Sequence, residues 1–180
     1  MFIAKQKKNE NIAEYLLYMW QIEDIIRANK LDIGLIEQNI INNFDLSDEQ
    51  KQEMREWHLG LIDMMKRENV SENGHLQINK NIIIDLTDLH LSLLKSPKEA
   101  SYIASYYKTL PFIVELRAKA GEDVLSEIET CFSALYGFLM LRLQHKDISG
   151  ETQAAISQIS SFLRMLSEKY KLEKEGALEL

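Results

Sequence analysis

The chain is poor in residues that interrupt helices. Its 180 residues include only 7 Gly and 2 Pro, and 3 Val and 4 Thr stand against 45 Leu plus Ile. Such scarcity excludes collagen-like and Gly-rich linker classes, and it leaves little of the Val and Thr that sheets usually favour. A single cysteine, Cys131, rules out any intramolecular disulfide. It lies in the apolar run "CFSALYGFLML", where a lone thiol behaves as a small buried hydrophobe. With no His or basic residue at helical contact spacing to lower its pKa, a nucleophilic role is not expected.

Long hydrophobic runs are also missing. The most continuous one, Cys131 to Leu141, ends after 11 residues at Arg142, far short of the roughly 20 needed to cross a bilayer. Near the N-terminus the apolar stretch carries Glu14, Glu23 and Asp24, which a secretory signal would exclude. Positive charge is in deficit: 21 Lys plus Arg against 28 Asp plus Glu give a net charge of −7. A surface of that sign repels phosphate backbones, so neither nucleic acid nor membrane is expected as a partner. The one basic cluster, Lys5, Lys7 and Lys8, reads as a solvated lead-in over residues 1–10.

What remains is ordinary for a globular protein, with 46% hydrophobic and 27% charged residues. The expectation is one cytoplasmic helical domain spanning residues 1–180, with residues 171–180 as a frayed tail.

Apolar residues recur at helical spacing along nearly the whole chain. Ile12, Tyr15, Leu16, Met19, Ile22 and Ile26 form one stripe, with Asn9 or Asn11 as its cap. A short segment follows Asp32. Ser47 and Gln50 make a capping box before Met54, Trp57, Leu61, Met64 and Met65, a stripe expected to reach about Val70. "SENG" at 71–74 is a turn, and residues 75–81 are ambiguous between an extended piece and a helix start. Ser96, Pro97 and Glu99 form the strongest start signal. Pro111 then kinks or divides the helix that follows, which Gly121 ends. A further helix is expected over residues 122–146, with Glu122, Asp123 and Glu127 at its start, and Ser149 caps the last. The class is therefore all-α, with six to seven helices in an antiparallel bundle or orthogonal array and a kink or break near Pro111.

The opening "MFIAKQKKNENIAEYLLYMWQIEDIIRA", with the length and the helical pattern, resembles a family of uncharacterised bacterial proteins described only as a domain of unknown function. The resemblance implies a bacterial cytosolic protein and assigns no activity, cofactor or site residue.

Chemical motifs are absent. There is no glycine-rich phosphate loop, no C-x-x-C or H-E-x-x-H, and no pair of E-x-x-H motifs such as a di-iron bundle requires, so no metal or cofactor is expected. Three polar residues nevertheless fall within apolar stripes: Glu23 between Met19 and Ile26, His90 between Leu86 and Leu93, and Arg142 beside Leu135 and Leu139. His58 lies at the edge of another. Left unpaired inside a protein, each charged group would cost several kcal/mol. Glu23, His90 and Arg142 are thus the buried polar or pocket candidates. Arg142 is expected to pair with an acid, Glu23 first, either as a structural ion pair or in a ligand pocket with Tyr15 or Tyr107. His90 is a hydrogen-bonded core histidine or a base.

Tyr18, Trp20 and Ile25 lie off the main stripe of the first helix, which is therefore buried centrally or offered to a second subunit. They are the interface candidates. The functional expectation is a helical protein acting through protein contacts and self-associating; the alternative is a small-molecule binding protein or enzyme with a polar pocket between helices.

Overall fold

The structure is a computed structural model that describes residues 2–120 and 125–180. Among these residues there are eight α-helices, two short 3-10 turns and no strand, so the class is all-α. In chain order the helices are α1 (Phe2–Glu10), α2 (Ile12–Ala28), α3 (Ile33–Asn39), α4 (Asp48–Arg67), α5 (Gln77–Lys95), α6 (Ala100–Ala120), α7 (Glu127–Leu143) and α8 (Gly150–Lys174).

Residues group into two compact units, Met1–Asn9 with Glu14–Asn81 and Glu10–Ala13 with Ile82–Leu180. The core of the first includes Leu16, Met19, Ile26, Ile36, Ile41, Met65 and Leu76. In the second, α6, α7 and α8 pack on one another, and Tyr102, Ile113, Ile128, Phe132, Ile159 and Phe162 are fully enclosed.

Most helix starts follow local capping chemistry. Asn11 Oδ1 accepts the Ala13 N–H at 2.9 Å, and Asp32 accepts from Gly34 and Leu35. Ser47 and Gln50 close both arms of their box. Ser149 Oγ accepts from the Thr152 N–H at 3.2 Å. Each satisfies amides that the helix itself cannot.

Several expectations are corrected. The basic lead-in is helical: α1 begins at Phe2, and two of its lysines find partners seven residues on, Lys7 on Glu14 at 3.1 Å and Lys8 over the Tyr15 ring. Residues 171–174, assigned to the frayed tail, continue α8. The α4 helix stops at Arg67 rather than near Val70, and residues 77–81 are helical. The start signal at Ser96, Pro97 and Glu99 does not form a capping box. Ser96 Oγ accepts from Lys98, and Pro97–Glu99 make a 3-10 turn. Glu99 is instead buried against Lys169 at 2.6 Å.

Helix α6 is not divided at Pro111. Proline removes the bond to the carbonyl four residues back, here that of Tyr107. Both residues are exposed, so water can take that carbonyl and the helix tolerates the loss. Ser126 caps α7 through the Glu129 N–H, so that helix starts later than expected and ends at Leu143 rather than Lys146. Gly121, Glu122 and Asp123 lie outside the described residues.

Candidate functional site

Glu23 carries the most elaborate polar arrangement in the first unit. It is fully buried, and three donors converge on it from the segment entering α5. Oε1 accepts from the Leu76 N–H at 2.9 Å and from Asn79 Nδ2 at 2.7 Å, while Oε2 lies 2.6 Å from His75 Nδ1. Three hydrogen bonds replace the water that a buried carboxylate loses. The imidazole also lies flat on the Trp20 indole, with ring centroids 4.1 Å apart and planes 11° from parallel. Tyr15 sits near enough that Glu23, after burial itself, pushes its hydroxyl pKa up.

One helical turn beyond Glu23, Arg27 anchors the same segment. It pairs with Asp24 at 2.8 Å and donates to the carbonyls of Val70 and Gly74. Gly74 adopts φ +80°, a conformation that side chains disfavour. Glu68 accepts the Gln77 N–H at 2.6 Å, completing the start of α5. The result is an imidazole fixed at Nδ1 by a carboxylate and at its face by an indole, with 29% of its side chain exposed. A neutral ring that donates its Nδ1 proton to Glu23 carries its free lone pair on Nε2, the arrangement that orients a histidine for proton transfer or ligand contact.

His90 makes a second cluster, in the other unit. It is 2% exposed, with Nδ1 2.7 Å from the Tyr102 hydroxyl and Nε2 3.7 Å from Glu127 Oε2. The carboxylate favours a proton on Nε2, which leaves Nδ1 to accept from Tyr102. Tyr106 and Phe162 pack their rings edgewise on the imidazole. Burial lowers its pKa below the ordinary value of 6.5, against the opposing pull of Glu127. His58 is likewise buried, its Nδ1 bonded to the Met54 carbonyl at 2.8 Å, and burial lowers its pKa. Cys131 is buried too, and its thiol is pushed up to about 12 by burial and then by Glu127, so it is not an activated nucleophile.

Arg142 is corrected. It is exposed, with its guanidinium carbon 5.9 Å from the centre of the Phe138 ring, at the edge of an open hollow that also involves Lys146, Asp147 and Gln153. Leu135 and Leu139, the residues that marked its face as inward, are themselves only half-buried. Glu23 takes His75, Leu76 and Asn79 in place of the expected guanidinium.

Among the interface candidates, Trp20 is also corrected. At 3% exposure its ring serves the His75 stack. Tyr18 and Ile25 are half-buried. Of the side pocket residues, Tyr15 joins the Glu23 site, whereas Tyr107 is 64% exposed.

Tyr107 belongs to a feature that sequence reasoning missed. Ala100, Ala104, Tyr107, Pro111, Val114 and Ala118 are all exposed and fall within an arc of about 80° at 100° per residue. This is the side of α6 opposite buried Tyr102, Thr109 and Ile113. The outward line of a surface helix is normally polar, yet this one has no charged side chain over five turns, and its one polar group is the Tyr107 hydroxyl.

A family model described as Domain of unknown function (DUF4924) matches residues 1–177. The chain belongs to this family. No curated protein and no solved structure shows a significant match. For this DUF4924 chain, no helix among the described residues is long and apolar enough to cross a membrane, and no group of three or more His, Cys, Asp or Glu among them is placed to hold a metal ion.

Proposed function

We propose that this chain is a bacterial cytoplasmic protein that acts through protein contacts and self-associates. The observation that carries the reading is the outward line of α6, apolar at six successive positions and exposed at all of them. Contiguous apolar surface of this kind, with Tyr107 and Val114 at 64% and 59% exposure, is costly to leave in water and is typical of interaction faces. The bacterial and cytoplasmic parts rest on the sequence resemblance and on the lone unpaired thiol.

Light scattering after size exclusion, from micromolar to several hundred micromolar protein, tests self-association. Mass rising toward twice 20.9 kDa is the expected result. A strictly monomeric chain at the highest concentration would remove the reading.

A second reading, small-molecule binding or catalysis, is favoured by His75. Its orientation by Glu23 and Trp20 is more than a core histidine needs, and its edge stays accessible. Screening a metabolite panel by thermal shift against the wild type and His75→Gln tests this. A ligand stabilising only the wild type supports it; equal response of both chains to every compound sinks it.

A further inference from the structure

We propose that the outward line of α6 is covered by α6 of a second copy, running antiparallel, with Tyr107 of each chain against Ala118 of the other. This rests on the self-association reading above and specifies its partner and register.

The spacing of the line selects the kind of occupant. Ala100, Ala104, Tyr107, Pro111, Val114 and Ala118 are separated by four, three, four, three and four residues, the alternation that keeps a seam facing a second helix. The line is a convex ridge, which offers no enclosure to a small molecule. A lipid surface is disfavoured by the net charge of −7 and the few cations beside the line.

Its order selects a second copy. From Tyr107 to Ala118 the line runs from its largest side chain to its smallest, so this stretch is complementary to its own reverse, as a two-fold contact requires. Two antiparallel registers bring Tyr107 and Pro111 onto the line of the other copy. In one, Tyr107 meets Pro111, bulk against bulk, and Lys108 comes beside Lys108 of the other copy. In the other, Tyr107 fits over Ala118, Pro111 meets Val114, Lys108 comes beside Glu115 at two symmetric places, and Ala100 and Ala104 lie beyond the contact. The second register matches both volume and charge. Glu115 Oε1 already holds Lys119 at 2.6 Å, and Oε2 is left for Lys108. The overlap, residues 107–118, is only about 17 Å long, so the contact is weak and reversible.

Sedimentation equilibrium of the full chain, with Tyr107→Glu, Lys108→Glu, Glu115→Lys and the double charge swap, tests the arrangement. Tyr107→Glu should abolish the dimer. Each single charge change should weaken it about three- to tenfold, and the swap should restore it to within about twofold. All three positions are exposed, and circular dichroism checks that each variant folds; should Tyr107→Glu fail to fold, the charge swap alone decides. A dimer that survives Tyr107→Glu, or a swap no better than its single changes, overturns the α6 contact and leaves self-association standing. A wild type that stays monomeric overturns both.

Discussion

Glu23 and His90 are both polar residues locked inside helical units, and they are accommodated in opposite ways. Glu23 gathers three donors, one of them a main-chain amide. His90 has one short hydrogen bond, to Tyr102, and a distant carboxylate. A buried carboxylate has to be matched on every side, because its charge costs far more in a dry interior than a neutral ring does. An imidazole can shed its proton instead, and burial has lowered the His90 pKa accordingly. The difference is between satisfying a charge and avoiding one.

The comparison can be broken most sharply at Glu23. Glu23→Leu strands Asn79, His75 and the Leu76 amide together and should cost about 3 to 5 kcal/mol in urea unfolding; a loss below about 1 kcal/mol would show that the donors find other partners. At the second cluster, Tyr102→Phe leaves one neutral acceptor unpaired and should cost about 1 to 3 kcal/mol by the same measurement.

Acid should distinguish the clusters further. His58 and His90 have pKa values lowered from 6.5 by burial. The unfolded chain takes up protons near that value while the folded chain refuses them, so these two residues cost nothing above it and destabilise as the pH falls below it. The slope is at most about 1.4 kcal/mol per histidine per pH unit. Melting temperatures followed downward from pH 7 should fall, and His90→Gln should flatten the fall. An unchanged profile in the variant would show that His90 is charged when folded. The smallest effect belongs to Arg142→Met, expected within about 0.5 kcal/mol because the residue is exposed; a large loss would restore the buried pair.

What could be read in advance divides by range. Ser47 with Gln50 and Ser149 act within three residues of themselves, so their caps were legible. The inward aim of Glu23 followed from Met19 and Ile26 on either side of it. Its partners did not, since His75 and Asn79 lie 52 and 56 residues away and no periodicity links such positions. Arg142 was misread because an apolar stripe was equated with a buried one, and the second half of α7 has no buried residue from Ser133 to Leu143. The α6 line escaped notice for a related reason. Alanine and proline are weak signals, and on a helix apolar on both sides no single stripe stands out.

The capping of α5 by Glu23 has a consequence for how this part of the chain is made. Most helices here can begin on their own, with a start signal within three residues. Helix α5 borrows its first acceptors from Glu23 and from Glu68. A peptide covering 75–95 alone would lack both and should fray at its beginning. In the intact chain, the Leu76 amide, bonded to Glu23, should become slow to exchange with solvent only once α2 is in place. That single proton is therefore a clock for the docking of a helix more than fifty positions upstream.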